Sequence, residues 1–215
     1  DRVLSGSSPA PGEVRERATS LGLQQAETVT FATMLYTGED KNLLASVKAV
    51  SEAYPLRGVL RVSAEPFGAD KVTSDLPQPG EVWLDSRLFP ALGLEIGDTV
   101  EVGFKQLRVS GILTREPDRG GSFTDLAPRA LMRIEDLDAT EIVQPGSRIS
   151  FRYLLRGDEE DLETAYDALA EGERSRYRWL GARDSSAAIG SALERAESFL
   201  LLGGLLAVLL AGVAV

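Results

Sequence analysis

The stretch that most restricts how this chain can fold is its end, Ser185 to Val215. It opens with Ile189, Leu193, Ala196 and Leu200 sharing one face at helical spacing, and Asp184 or Ser185 can cap its start. From Phe199 to Val215 there is no charge and no strong polar group, only Leu, Ala, Gly and Val behind a single Phe. A bilayer core about 30 Å thick takes roughly 17–25 apolar residues as a helix, so this run sits at the short limit of a membrane span. The span is expected to be cut short, because the chain stops inside the run. The competing reading is a buried central helix of a soluble fold; a signal peptide is excluded by position. Gly203, Ala207 and Ala211 recur every fourth residue and form a stripe along which another membrane helix can pack closely. A continuous helix from Ser185 to Val215 would run about 46 Å at 1.5 Å per residue. A folded domain would then join the bilayer through a stiff element able to transmit force.

The 215 residues upstream of and within this helix suffice for one or two domains with a sizeable core. A net charge of −10 argues against nucleic acid, which needs a basic face, and against broad attachment to anionic lipid. The chain has no Cys and no His. Disulfides, thiol nucleophiles, the commonest zinc ligands and the usual general base near neutral pH are therefore absent.

In chain order, Ser8-Pro-Ala-Pro-Gly-Glu13 predicts a helix start, with Val14, Ala18 and Leu21 on one face and Gly22 as the stop. Glu27 to Tyr36 alternates with Val29, Phe31 and Leu35 on one side, and a turn over 37–42 leads to a second strand, Leu43 to Val50. A hairpin after a helix predicts an α+β layer. Ser63 to Gly80 is rich in Pro, Gly, Asp and Ser and is read as a loop into a second module. That module holds Glu81–Asp85, a short helix from Ser86 to about Leu92, a Gly97-Asp98 turn, and alternation at Val100, Val102 and Phe104, then Leu107, Val109 and Ile112. The stretch 114–125 is a long loop, and within it Arg115–Asp125 is the candidate contact surface, with Arg119 and Phe123 as its contact residues. The competing reading of Phe123 is an aromatic tucked onto its own core. A short helix is expected around Ile134–Leu137, a strand over Ile149–Leu155, a helix opening at Asp158–Glu163, and a last strand over Arg176–Leu180.

Catalytic patterns are missing. There is no phosphate-binding loop of the G-x-x-x-x-G-K-[ST] type and no G-x-S-x-G elbow, and without His a Ser-His-Asp triad cannot form. Asp158, Glu159, Glu160 and Asp161 read as a solvated helix start that suits the helix dipole, in preference to a cation site. No catalytic, cofactor-binding or metal-ligating residue is assigned.

Glu81-Val-Trp-Leu-Asp-Ser-Arg-Leu-Phe-Pro-Ala-Leu-Gly-Leu-Glu-Ile-Gly-Asp-Thr-Val-Glu-Val102, followed by Leu107-Arg-Val-Ser-Gly-Ile-Leu113, contains an L-G-x-x-x-G-D turn and a V-x-G-I strand. These resemble the extracytoplasmic domain of MacB/FtsX-type ABC transporter permeases. Leu44–Gly58, Pro117–Gly121, Ala127–Met132 and Gln144–Arg148 are similar to the YbbP-type branch of that superfamily. The resemblance covers most of the chain up to the membrane helix. It implies an α+β, MacB-like periplasmic core domain, with a porter-like subdomain over 1–62 and 148–184. A β-rich, sabre-like subdomain would be inserted over 63–147, with 185–215 as stalk and start of a membrane helix. It implies a location at the bacterial inner membrane, a homodimeric permease, and a cytoplasmic ABC ATPase subunit that binds the ATP. The branch further implies a periplasmic esterase or lysophospholipase partner and the extraction of lipid or other hydrophobic molecules. The alternative is an FtsX-like activator of a periplasmic cell-wall hydrolase that moves no substrate. An enzyme with an unusual carboxylate site at Asp158–Asp161 is the third reading.

Overall fold

In the computed structural model, residues 1–38, 41–119 and 126–181 are described. Their strands form one sheet of eleven: β1 (Arg2–Gly6), β2 (Gln24–Tyr36), β3 (Asn42–Val50), β4 (Leu60–Ser63), β5 (Asp70–Thr73), β6 (Glu81–Asp85), β7 (Thr99–Val102), β8 (Lys105–Arg115), β9 (Arg129–Arg133), β10 (Ile149–Arg156) and β11 (Tyr177–Gly181). The helices are α1 (Gly12–Ser20), α2 (Leu88–Leu92), α3 (Glu159–Asp167) and α4 (Glu171–Arg174). The fold is α+β, as expected.

Part of the sheet closes on itself. The order runs β11-β1-β10-β2-β3-β9-β6-β8-β4-β5, and β7 pairs with both β8 and β2. Strands β2, β3, β9, β6, β8 and β7 therefore form a ring, closed where Leu35 and Tyr36 meet Val102 and Glu101. Ring closure removes two exposed strand edges, which are the usual sites of unwanted pairing. The ring interior is apolar: Val29, Phe31 and Leu35 of β2, Ala45, Val47 and Ala49 of β3, Ala130 and Met132 of β9, Val82 and Leu84 of β6, with Leu88, Phe89 and Leu92 of α2. On the same side of β1 and β10, α1 and α3 bury a second cluster of Leu4, Val14, Ala18, Tyr153, Leu155, Leu162 and Ala165.

Several expectations hold. The β2–β3 hairpin is in register from Thr28↔Val50 to Tyr36↔Asn42, and β6, β10 and α3 lie where the patterns placed them. Helix α1 starts later than Ser8: its N-cap is Pro11. The residue before a proline is pushed out of helical geometry, and Pro9 and Pro11 exclude two such positions in succession. The loop expected over 63–80 contains β5, an edge strand paired to β4. Polar composition hides a strand with one edge and both faces largely exposed.

Strand β9 carries no alternation because both faces are covered, Arg129 to Arg133 being buried throughout. Strand β1 is five residues long and its partners are β10 and β11, so nothing local marks it. Phe104 does not continue the inward series of Val100 and Val102. Gly103 adopts φ +60°, the strand ends there, and Phe104 is 79% exposed. A Cβ on Gly103 would lie 2.1 Å from the Thr140 carbonyl oxygen, so the turn requires glycine. Among the described residues no helix is long and apolar enough to cross a membrane; the stretch Ser185–Val215 lies outside them.

Candidate functional site

Strand β3 alternates. Ala45, Val47 and Ala49 point into the ring, which leaves Ser46 and Lys48 on its outer face. Parallel pairing with β9 sets Ser46 against Arg129, so two cations share that face on neighbouring strands. Both are buried, at 3% and 2% exposure. Burying unpaired charge is prohibitive, and the segment after β8 supplies the counter-charges. Glu116, 3% exposed, lies between them: Arg129 Nε donates to Oε1 at 2.5 Å and Lys48 Nζ to Oε2 at 3.2 Å. Arg129 Nη1 also donates to Ser46 Oγ at 2.5 Å.

Lys48 is fully engaged. Beyond Glu116, its ammonium donates to Asp118 Oδ1 at 2.6 Å and to Tyr54 Oη at 3.0 Å, using its three protons. Tyr54 in turn donates its hydroxyl proton to Asp118. Burial pushes the Tyr54 phenol well above its ordinary value, reinforced by Asp118 and Glu116. Burial alone would raise the Asp118 carboxyl. The Lys48 charge and the hydrogen bonds from Lys48 and Tyr54 outweigh it and hold that carboxyl below the usual range. The array staples the 116–118 segment and the turn after β3 onto the outside of the ring.

Next to the array lies a cleft of about 290 Å³. It is lined by Val3 of β1, Arg152, Leu154 and Leu155 of β10, Tyr54 to Gly58 after β3, and Pro117 and Asp118 after β8. It sits on the face of β1 and β10 turned away from α1 and α3, since Leu154 belongs with the cluster around Val50, Tyr54 and Leu131. Gly58 has φ +80° and an added Cβ would fall 2.4 Å from Pro117, so glycine lets the two cleft walls meet. At the rim, Arg57 Nε pairs with Asp1 at 3.0 Å, and Arg156 donates to the Leu56 carbonyl at 3.1 Å.

Of the residues singled out in the sequence, Arg119 is partly buried, with 24% of its side chain exposed. It reaches Asp85 Oδ2 at 3.3 Å and the Ala127 carbonyl at 2.9 Å, so it bridges β6 to the segment before β9. Phe123, Gly203, Ala207 and Ala211 lie outside the described residues. Asp158 to Asp161 lie at the start of α3, where Glu159 pairs with Arg2. Sequence reasoning missed Lys48, Tyr54, Glu116, Asp118 and Arg129. One signal existed: a lysine among small and apolar residues in a strand otherwise suited to burial on both faces.

The chain resembles known proteins along nearly all its length. Residues 4–171 match the family described as MacB-like periplasmic core domain. The chain is 40% identical over all 215 residues to the uncharacterized ABC transporter permease YbbP of Escherichia coli strain K12. It spans about a quarter of that relative, 26% of its length. Two solved structures share the fold. The periplasmic region of MacB from Actinobacillus actinomycetemcomitans is 17% identical, covering 88% of this chain and 92% of that one, at a TM-score of 0.50. The extracellular domain of the noncanonic ABC-type transporter YknZ from Gram-positive bacteria is 11% identical, covering 84% of this chain and 100% of that one, at 0.52. With a family match over most of the sequence and a full-chain relative at this identity, the chain belongs to the MacB-like periplasmic core domain family.

Proposed function

We propose that this chain is the periplasmic domain of an inner-membrane ABC transporter permease that relays the cycle of a cytoplasmic ATPase to the periplasm, and that the complex extracts lipid or other hydrophobic molecules from the membrane. The observation that carries the reading is the 40% identity over all 215 residues to an ABC transporter permease. Three features of the fold suit a relay. First, Arg2 pairs with Gly181 across β1 and β11, so the start of the first described strand and the end of the last lie side by side. A membrane helix at either end of the domain would act on the same sheet edge. Second, β2 runs unbroken for thirteen residues, roughly 40 Å at about 3.3 Å each, from that end into the ring. Third, the ring and the buried ion pairs leave little freedom for a push at one end to dissipate. In this reading residues 1–62 and 148–184 form the membrane-proximal part and 63–147 the inserted part. The permease works as a homodimer, with a periplasmic esterase or lysophospholipase as a further partner.

The test is ATPase activity of the full-length permease with its ATPase subunit in nanodiscs, with and without lipophilic compounds. Stimulation by a hydrophobic compound is the expected result. Failure of the permease to copurify with or stimulate the ATPase sinks the relay. A second reading, activation of a cell-wall hydrolase, draws on exposed apolar residues at the end of β2 far from Arg2: Tyr36, 44% exposed, Phe104, and Val143, 46% exposed, in the segment that follows Thr140 beneath the Phe104 turn. An ATPase indifferent to every compound, but responsive to a periplasmic hydrolase, would favour it.

A further inference from the structure

The cleft beside the ion array has a chemistry that the array does not explain. Its walls are apolar, formed by Val3, Pro55, Leu56, Pro117 and Leu154. Its volume, about 290 Å³, falls at the small end of ligand pockets, which run from roughly 300 Å³ upward. Arg152 lines it, half-buried on β10; among the described residues its side chain makes no hydrogen bond, and its charge acts on Asp118 from a distance, helping to hold that carboxyl down. The nearby anion, Asp118, is already held by Lys48 and Tyr54. The other rim anion, Asp1, is shared between Arg57 and Arg156. A partly desolvated guanidinium thus faces an apolar slot with its planar donors unused. That geometry is made for a carboxylate, which it can hold through two parallel hydrogen bonds.

We propose that the cleft binds a free fatty acid, its carboxylate on Arg152 and its hydrocarbon chain along Val3, Leu56, Pro117 and Leu154. The small volume selects one chain and a compact head over a two-chain lipid. The place is apt: the cleft lies at the end of the sheet where Arg2 and Gly181 pair, the bilayer side in the relay reading. The inference rests on that reading and names the class of hydrophobic molecule.

The experiment uses the full-length permease with its ATPase in nanodiscs and a diazirine-bearing palmitate, followed by peptide mass spectrometry. Adducts are expected on the peptides holding 54–58 and 152–155. Arg152→Glu should lower them at least fivefold, and Arg152→Lys should keep them within twofold. Leu154→Trp fills the slot without changing any charge and should also lower them. An uncharged diazirine monoacylglycerol should label these peptides weakly. Equal labelling by that neutral probe, stronger labelling by a lysophospholipid probe, or labelling untouched by both Arg152→Glu and Leu154→Trp overturns the proposal. ATPase stimulation in the same nanodiscs separates the two readings. If stimulation by lipophilic compounds persists while cleft labelling is absent, the relay stands and the fatty-acid site falls; labelling without stimulation does the reverse.

Discussion

The two faces of β3 stabilise the same strand by different physics. Inside the ring, Ala45, Val47 and Ala49 meet Leu84, Met132 and Phe31 in an apolar core that is non-directional and tolerant of hydrophobic exchange. Outside, one residue along, Ser46 and Lys48 enter an array in which every charge has a specified partner. The inner face resists by volume and the outer by stoichiometry of charge. Losing a methyl group is graded, whereas losing the Glu116 carboxylate takes an acceptor from two buried cations at once.

The largest effect should follow removal of the shared anion. Glu116→Ala leaves Lys48 and Arg129 buried around a missing acceptor and should cost about 3–5 kcal/mol, read as a lower urea midpoint. The quadruple change Lys48→Met, Glu116→Leu, Asp118→Asn, Arg129→Met, which removes both cations and both anions together, should recover most of that loss, because well-packed apolar residues often match a buried ion pair. A quadruple variant no better than Glu116→Ala would mean the array specifies the fold and not only its stability.

On the inner face, Leu84→Ala should cost about 2–5 kcal/mol, the spread reflecting how far the ring can collapse. Leu84→Met should cost less than about 1.5 kcal/mol, since volume is kept. If both cost the same, the ring interior is not an ordinary apolar core and the two faces of β3 do not differ in kind.

Smaller effects come from pH. The folded state holds the Asp118 carboxyl below its ordinary value, so its contribution is complete above about pH 4 and drains away as pH falls through the lower folded value. Asp118→Asn should therefore flatten the acid limb of a stability-versus-pH curve. Tyr54 behaves oppositely. Its raised value leaves stability intact below about pH 10 and removes it as pH climbs toward the folded value, and Tyr54→Phe should abolish that alkaline loss. Unchanged limbs in both variants would show that these groups are not linked to folding. Least of all, Asp70→Asn, which breaks the exposed pair with Arg61 on the edge hairpin, should leave the melting temperature where it was.

Local pattern was enough for the elements that bury one face and expose the other. Glu27–Tyr36 alternates because half of it lines the ring, and α3 shows Leu162 and Ala165 because only one side packs. It failed at β9, where burial on both faces erases alternation, and at β1, whose partners lie some 150 positions away. The array was invisible for a related reason. Lys48, Glu116 and Arg129 each read as surface charge, and their joint burial exists only once β3 and β9 pair in parallel and the segment after β8 folds over them.

By itself the sequence determined the α+β class, the hairpin, the motifs of the periplasmic-domain family and the apolar run at the end, because each is written in contiguous residues whose periodicity or composition carries the physics. Only the tertiary structure decided that the sheet closes into a ring, that its outer face holds a neutralised array of charges, and that an apolar cleft lined by Arg152 lies beside Arg2 and Gly181. Those depend on which distant strands become neighbours, and register between distant strands is set by the sum of the packing and by no one segment.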